Sequence, residues 1–425
     1  MLSRSRFLSL LTAVGAAATP RAAHAAQPPW YPLPPPLSPG KGRGLVVSGA
    51  GARGAYEAGA LKWLFRNLER DGQPFDVICG SSSGAINAAF AARGTPQAVQ
   101  QTEELWKGMP SANILKLKPQ VQDLVDAGEQ LKESTKHGYP AKLNYVLRAK
   151  KEVDAAGPPA ELVKILGVVD QNGIDAAVKK YPLSFDGLQT SLVVTATNVS
   201  RMSADSFYEF VGPNAPSLTQ RFLARSAPHA RVQNHAPPLR RDLRLRHALT
   251  TDNFVDAVLA SAAFPGLLAP VPVRVSEDKD THLYADGGIA NNVPVSIAVD
   301  AGATDITVIL ADAADEIPGE PQTLPQLLRA SYSVMADKAL ENDVALAVAK
   351  NLLARQHDWS GLSVATQQYL DSLQLRDWQP ITLRVIRPRD QLKLLTMAFN
   401  DQSGLNAAFD QGYADAQQES VYSIT

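Results

Sequence analysis

Two consecutive strand–turn–helix units near the start of the folded part of the chain constrain the fold more than any other feature. Residues 44–70 combine the apolar run GLVVS, a glycine-rich turn and a segment with apolar residues at helical spacing. Residues 75–92 repeat this order with the run FDVIC, a second glycine-flanked turn and a helix of small residues. Such units are typical of strands that lie parallel in one sheet. The sequence therefore predicts an α/β fold around a mainly parallel sheet.

The remaining segments indicate one large domain with two irregular regions and a C-terminal extension. Residues 43–310 carry the strand and helix signals of the α/β domain. Within it, residues 105–186 have a helical and polar pattern that predicts a helical insertion, and residues 200–250 read as an irregular, arginine-rich loop. Residues 311–425 are mostly helical with one late apolar run at 381–386, which predicts an α+β extension that packs on the same domain.

The N-terminal residues have the layout of an export signal followed by a spacer. Two arginines precede an apolar run at residues 7–18, and small residues surround a cleavage point at positions 23–25. The run is shorter than the roughly 20 residues that span a bilayer, although an uncleaved interfacial anchor is an alternative. Residues 1–25 are predicted to be a signal peptide, which implies a periplasmic or secreted protein. Residues 26–42 are predicted to be an extended proline-rich linker.

Charge and cysteine content argue against several classes of protein. Lys plus Arg number 41 and Asp plus Glu number 42, so the bulk charge gives no reason to expect a nucleic-acid partner. Cys79 is the single cysteine, which excludes an intramolecular disulfide and a thiolate metal cluster. Its apolar neighbours indicate a buried structural residue. No paired histidines occur at metal-ligand spacing, and we expect neither a metal nor another cofactor.

The strongest local signal is a short serine-rich turn, Gly80-Ser81-Ser82-Ser83-Gly84, between the run FDVIC and the small-residue helix. The pattern G-x-S-x-G between a strand and a helix is that of a nucleophile elbow, which presents its central serine at the edge of the sheet. The small flanking residues let strand and helix approach closely, and the helix N-terminus adds positive potential near the reacting oxygen. Ser82 is therefore the predicted nucleophile, and Ser81 and Ser83 are expected to pack or hydrogen-bond in the turn.

The glycine-rich turn at residues 49–54 (GAGARG) allows two interpretations. The spacing G-x-G-x-x-G also describes a dinucleotide-binding turn, which expects an acidic residue at the end of the next strand. That strand ends at Cys79, its one acid, Asp76, lies near its start, and no Lys-Ser or Lys-Thr pair follows Gly54 to form a phosphate loop. The free amides of the turn are better suited to receive the oxyanion that forms when Ser82 attacks a carbonyl.

Two residues are candidates for the base that activates Ser82. Histidine is the usual base, and the order serine, acid, histidine of the α/β-hydrolases leaves only His357 after Asp286. His357 lies in a polar stretch without a glycine turn or a strand end, which is typical of a surface residue. Asp286 ends an apolar run and precedes two glycines, but Asp-Gly is also a common hairpin signal. The residues alone leave the base open.

Three segments together resemble the patatin-like phospholipases. They are VVSGAGARGAYEAGAL, GSSSGAINAA and YADGGIANNVPV, and the stretch ASAAFPGLLAPV before the third also looks like the family. The resemblance covers roughly residues 43–310 and is weak across the insertion, the arginine-rich loop and the C-terminal region. It implies a three-layer sandwich and a Ser–Asp dyad without histidine, in which Ser82 attacks an ester carbonyl and Asp286 accepts its proton.

The resemblance also assigns roles to the glycine-rich segments. The oxyanion-hole and substrate-binding loop would comprise Gly49, Ala50, Gly51, Arg53 and Gly54. The residues that support the elbow and the dyad would be Gly80, Gly84, Gly287 and Gly288. The family has glycine where this chain has Ala50, and alanine there would cost about 1 kcal/mol if the position needed a positive φ. Arg53 would either fix the shape of the loop or meet charge on the substrate.

By this resemblance the expected function is a lipid acyl hydrolase of the phospholipase A, lysophospholipase or esterase type. Its partner would be a lipid or another acyl ester. The charge pattern of residues 200–250 allows two interpretations, a solvated loop or a basic lip that makes a peripheral membrane contact through anionic head groups. Two alternatives stay open. One is an esterase with a Ser82–Asp286–His357 triad, and the other is a non-catalytic protein that binds a lipid or a dinucleotide through the glycine-rich turn.

Overall fold

A mixed sheet lies at the centre of the computed structural model, which describes residues 42–71, 74–112, 172–224, 245–275, 281–313, 380–417 and 422–424 and a few isolated positions. The strands, in chain order, are β1 Gly42–Val47, β2 Val77–Ser81, β3 Ser191–Asn198, β4 Ser203–Glu209, β5 Arg246–Ala248, β6 Val271–Arg274, β7 Thr281–Ala285, β8 Ala303–Ile309, β9 Thr382–Ile386 and β10 Tyr422–Ile424. The spatial order is β10-β9-β8-β1-β2-β3-β4-β5, and β7 joins β3 and β6 beside this row.

The central strands are parallel to one another. β1 pairs in parallel with β2 and β8, β2 with β3, and β8 with β9. The antiparallel strands β4 and β7 both pair with β3, β4 along its whole length and β7 at its C-terminal end. This arrangement brings the ends of β1, β2 and β7 to one edge of the sheet, where the candidate site lies.

Helices cover both faces of the sheet. In chain order they are α1 Gly54–Asp71, α2 Ser83–Ala91, α3 Pro96–Ala112, α4 Asn172–Lys180, α5 Ala215–Ala224, α6 Phe254–Ser261, α7 Gly288–Asn291, α8 Val295–Asp300 and α9 Gln402–Gln417, and a 3-10 turn at Gly51–Arg53 leads into α1. The predicted α/β class, with a mostly parallel sheet between layers of helices, is confirmed.

Consecutive residues of the central strands belong to two different cores. In β1, Leu45 and Val47 pack in the core on one face, whereas Val46 packs in the core on the other. Side chains alternate across a strand, so a strand that is covered on both faces must be apolar at every position. This explains the unbroken runs GLVVS and FDVIC. Cys79 is buried in the second core, and burial raises the pKa of its thiol.

The arginine-rich region is more regular than its composition predicts. Residues 200–250 were expected to be an irregular loop, but they contain β4, α5 and β5. Phe207 is fully buried in β4, and the many arginines of the region masked this apolar signal. Arg246 is also buried, with its guanidinium over the Phe222 ring and 2.5 Å from Asp300, so it is a structural residue and not part of a charged surface. Residues 225–244 lie outside the described part.

Several other predictions fall on residues that the structure does not describe. They are the signal peptide at 1–25, the linker through residue 41, most of the insertion between 113 and 171, and most of residues 314–379. These remain predictions. In the described ranges, none of the helices combines the length and the apolar composition needed to cross a membrane.

Candidate active site

Ser82 occupies a strained turn between β2 and α2. Its backbone has φ 53° and ψ −131°, a conformation that residues other than glycine rarely adopt. The backbone N–H of Ser82 donates to the Ser261 hydroxyl at 2.9 Å, and that hydroxyl donates to the Thr195 carbonyl at 2.6 Å. The strain is thus held by hydrogen bonds from α6 and β3, as is typical of turns that present a reactive side chain.

The Ser82 hydroxyl donates a hydrogen bond of 2.6 Å to Oδ2 of Asp286. Asp286 follows β7 and is almost fully buried, with 1% of its surface exposed. Its Oδ1 accepts from the Gly288 amide at 2.8 Å, and its carbonyl accepts from the Thr197 hydroxyl at 2.8 Å. Both the carboxylate and the backbone of Asp286 are therefore held in place while Oδ2 faces the serine, a geometry that allows proton transfer from the hydroxyl.

The supporting glycines lie where close packing leaves no room for a side chain. Gly80 and Gly84 bring β2 against α2, and a Cβ on Gly84 would collide with the carbonyl oxygens that end β1. Gly287 packs against the Thr195 carbonyl, and its amide donates to the Ser261 carbonyl at 2.9 Å. Ser261 thus contacts both the serine turn and the aspartate turn. The sequence did not single it out, although it lies in the family-like stretch ASAAFPGLLAPV.

The amides of the glycine-rich loop are not equally available. The Gly49 amide donates to the Asn292 carbonyl at 3.1 Å, and the Ala50 amide donates to the Ser83 hydroxyl at 3.0 Å. The Gly51 amide has no acceptor among the described residues, and Gly51 lines the same cavity as Ser82. Of the loop residues predicted for an oxyanion hole, Gly51 therefore combines an amide without a described acceptor with a place in the cavity wall. Ser83, whose amide opens α2, lines the same cavity.

The alanine in this loop carries no backbone strain. Ala50 has φ −143°, whereas the positive φ of the loop, 58°, falls on Gly51. Alanine is therefore tolerated at position 50 without the expected cost. A Cβ on Gly51 would also press on the Thr396 carbonyl oxygen.

Arg53 fixes the loop and does not line the cavity. Its side chain is buried, its Nε donates to the Leu394 carbonyl at 2.9 Å, and one terminal nitrogen lies 2.6 Å from Asp312. Of the two roles considered for Arg53, these contacts favour the one in which it fixes the shape of the loop, because they hold the loop against the C-terminal residues. Gly54 has a structural place as well, since its carbonyl accepts from Asn87 at 3.0 Å.

A buried polar network underlies the loop. Glu57, in the first turn of α1, is fully buried and accepts hydrogen bonds from the Ser48 hydroxyl at 2.8 Å and the Asn87 amide at 3.1 Å. Asn87 in turn accepts from the Trp106 indole at 2.8 Å. Burial raises the pKa of Glu57 well above its ordinary value despite these bonds. The network ties β1, α1, α2 and α3 together directly beneath the site.

Ser82 and Asp286 open onto an apolar cavity of about 340 Å³. It lies between α2, α3, α4, α6 and the residues that precede α9. Representative lining side chains are Phe90, Trp106, Ile174, Leu259, Phe264 and Phe399. A cavity of this shape and polarity suits an alkyl or acyl chain whose reactive end meets the serine.

The segment before α9 contributes a wall of this cavity that the sequence did not indicate. Thr396, Met397 and Phe399 line it, the Ala52 amide donates to the Thr396 carbonyl at 2.7 Å, and Phe399 stacks on Trp106 with centroids 6.5 Å apart. These residues follow Asp286 by more than a hundred positions and lie beyond the family-like segments. No local pattern marks them, because their role comes only from tertiary packing.

The two histidines that the structure describes, His247 and His282, belong to a separate buried cluster. His247 Nε2 lies 3.3 Å from Asp205 Oδ2, and His282 Nδ1 lies 3.1 Å from Asn198. Neither contacts Ser82 or Asp286 by a described hydrogen bond, and His357 lies outside the described residues. Within those residues, no group of three or more His, Cys, Asp and Glu side chains could hold a metal ion.

The sequence was compared with known proteins. A model of the family described as patatin-like phospholipase matches residues 45–299, which is more than half of the chain. A curated relative, lysophospholipase nte1 of Aspergillus terreus, is 46% identical over 54 residues, which are 13% of this chain and 3% of that protein. The match thus spans only a small part of this relative.

Solved structures of three proteins show a weaker likeness. VipD from Legionella pneumophila is 14% identical with a TM-score of 0.35, over 90% of this chain and 68% of that one. Human GIVD cytosolic phospholipase A2 is 13% identical with a TM-score of 0.26, over 69% and 48%. The complex of SpcU and ExoU from Pseudomonas aeruginosa is 15% identical with a TM-score of 0.17, over 89% and 73%.

The TM-scores of these three structures are low, so the family of this chain is assigned from the family model. That match covers the glycine-rich loop, the serine turn and the aspartate turn, the three segments that meet at the cavity. The chain belongs to the patatin-like phospholipase family.

Proposed function

We propose that the protein is a lipid acyl hydrolase that cleaves acyl esters through a Ser82–Asp286 dyad and an acyl-enzyme. One observation carries the proposal: the Ser82 hydroxyl donates to the Asp286 carboxylate at 2.6 Å, and both residues line an apolar cavity of about 340 Å³. The apolar lining favours an acyl chain, and membership of the family supports lipids as the substrate class.

In this mechanism Asp286 takes the hydroxyl proton as Ser82 Oγ attacks the carbonyl carbon of the ester. The tetrahedral intermediate then collapses, the bond to the leaving alcohol breaks, and that alcohol takes the proton from Asp286. The acyl group stays on Ser82. Water attacks this acyl-enzyme while Asp286 accepts one of its protons, and the proton returns to the Ser82 oxygen as the fatty acid leaves.

The negative oxygen of each intermediate requires hydrogen-bond donors. The Gly51 amide and the Ser83 amide, which opens α2, are the donors that support this role, because the amides of Gly49 and Ala50 are used inside the protein. The N-terminus of α2 adds positive potential at the same place. A preorganised donor of this kind contributes on the order of 10²-fold to turnover.

The proposal is tested with a p-nitrophenyl ester, a lysophospholipid and a fluorophosphonate probe on the purified mature protein. We expect ester hydrolysis and probe labelling by the wild type, and loss of both in Ser82→Ala. Ser81→Ala is the matched control: Ser81 is the neighbouring buried serine, its hydroxyl has no hydrogen-bond partner among the described residues, and its loss should leave both readouts intact. Equal activity of Ser82→Ala and wild type would refute the nucleophile.

We further propose that the mature protein is exported and acts at a lipid surface. The basic and apolar N-terminus supports export, and the arginines of residues 225–244 support contact with anionic head groups. Sequencing of the secreted protein should find a new N-terminus after Ala25. Activity on anionic vesicles should fall with added salt, and salt-independent activity would argue against the arginine contact.

A further inference from the structure

The lining of the active-site cavity includes a carboxylate that the proposed mechanism does not use. Asp256 lies in the first turn of α6, three positions before Leu259, and both line the cavity together with Ser82. Residues three positions apart are neighbours on one face of a helix, so this face of α6 is turned toward the cavity. Asp256 is exposed, which places it where the cavity meets solvent.

Asp256 has no hydrogen-bond or ion-pair partner among the described residues. The described lining of the cavity contains no lysine or arginine. Lys180 packs over the ring of Tyr181, 5.1 Å from its centroid, and lines a separate cleft with Lys62 and Glu103. Although Asp256 is exposed to solvent on one side, partial desolvation beside the apolar wall raises its pKa, so this wall is a costly place for its charge.

The position of Asp256 relative to the nucleophile is set by α6. Ser261, at the other end of this helix, accepts the hydrogen bond from the Ser82 amide. Asp256 lies five positions before Ser261, which corresponds to about 7.5 Å along the helix axis. In a glycerophospholipid, a glycerol unit and a phosphodiester likewise separate the ester from a terminal amine.

We propose that Asp256 binds the cationic amine or quaternary ammonium group of the substrate, so that the enzyme prefers zwitterionic lipid esters to anionic ones. This inference rests on the proposed function and specifies its substrate class. In this binding mode the acyl chain fills the apolar cavity and the ester carbonyl lies at Ser82. The head group extends along α6 toward solvent. The carboxylate attracts a terminal cation there and repels a terminal phosphate monoester.

Two lysolipids with the same acyl chain test this assignment, one with a glycerophosphocholine and one with a glycerophosphate head group. A p-nitrophenyl ester of the same acid, which has no head group, is the third substrate. In Asp256→Asn, kcat/KM for the choline substrate should fall about fivefold through KM, as expected for a partly exposed ion pair. The glycerophosphate substrate should be unaffected or improved, and the p-nitrophenyl ester should be unaffected.

Asp252→Asn is the matched control, since Asp252 is exposed just before the same helix and does not line the cavity. A choline-to-phosphate preference that stays within twofold of wild type in Asp256→Asn would overturn the inference. If the wild type hydrolysed none of the three substrates in a Ser82-dependent way, the proposed function would be overturned instead. Binding of a non-hydrolysable ether-linked choline lysolipid to wild type and Asp256→Asn then tests Asp256 separately: equal affinity contradicts its role.

Discussion

Two buried carboxylates lie beside the C-terminal end of β3, and they differ in what surrounds them. Asp286 follows β7, next to the pairing of Ala285 with Thr197, and accepts the hydroxyl of Ser82. Asp205 pairs with Ala196 across β3 and β4 and accepts from a different set of groups, which are Asn198, Ser203 and Tyr284, with His247 Nε2 at 3.3 Å. Both are 1% exposed.

Asp286 and Asp205 differ in their access to the active-site cavity. Asp286 lines the cavity, whereas neither Asp205 nor the side chains that bond to it do. Burial by itself would raise the pKa of Asp205, but hydrogen bonds from His247, Asn198 and Ser203 outweigh it and lower that pKa. The Asp205 cluster has the residue types of a catalytic triad, but among the described residues it does not open onto the cavity that Ser82 and Asp286 share. Its contacts instead join β3, β4, β5 and β7.

The largest expected effect comes from Asp286→Asn. An amide cannot take the Ser82 proton, so hydrolysis of a p-nitrophenyl ester should fall by about 10³-fold or more. The thermal midpoint should stay close to wild type, because the asparagine side chain keeps an oxygen for the Gly288 amide. Asp205→Asn is the paired control and should retain most of its turnover per folded molecule. Near-normal turnover by Asp286→Asn would exclude Asp286 as the base of the dyad and also as the acid of a triad with His357.

A smaller loss of turnover is expected from Gly51→Ala. The substitution forces alanine to φ 58° and presses on the Thr396 carbonyl, which displaces the amide assigned to the oxyanion. Loss of one oxyanion donor costs on the order of 10²-fold in kcat. Gly212→Ala is the control for backbone strain, since Gly212 has φ 87° and open space around it. It should lose about 1 kcal/mol of stability and no activity. Unchanged kcat in Gly51→Ala would exclude the Gly51 amide.

The sequence predicted the parts of the fold and of the candidate site that lie within one continuous segment, but not those that distant segments bring together. Ser82 and its strand lie within one continuous segment, so a local pattern identified them. The strands and both glycine turns were predicted for the same reason. Ser261, Thr396 and Asp256 reach the site through packing between distant segments, and no local pattern marks such contacts. The strand β4 was not predicted, because the region that contains it was interpreted from its many arginines and not from the apolar residues between them.

The Asp205 cluster should affect stability more than catalysis. Asp205→Asn leaves an amide where a carboxylate accepts several buried hydrogen bonds, so the free energy of unfolding at pH 7 should fall by about 2–3 kcal/mol. Because the folded pKa of Asp205 is lowered, its contribution is present above the unfolded value of 3.8 and is lost as the pH falls through the folded pKa. Denaturant unfolding should therefore show the two proteins converging below about pH 3.8. A constant gap down to about pH 2 would contradict this assignment.

A second effect on stability alone concerns Glu57, whose environment shifts its pKa in the opposite direction. Burial raises the folded pKa, so the folded protein keeps a proton that the unfolded chain releases above about 4.5. Stability from this group is complete below that pH and declines as pH rises toward the folded pKa, by at most about 1.4 kcal/mol per unit. Glutamine mimics the protonated form, because its NH₂ can face the Ser48 hydroxyl and its carbonyl can accept from Asn87. Glu57→Gln should therefore gain stability over wild type as pH increases from about 5 to about 8, as measured by urea unfolding. Parallel pH profiles would mean that Glu57 is charged in the folded protein.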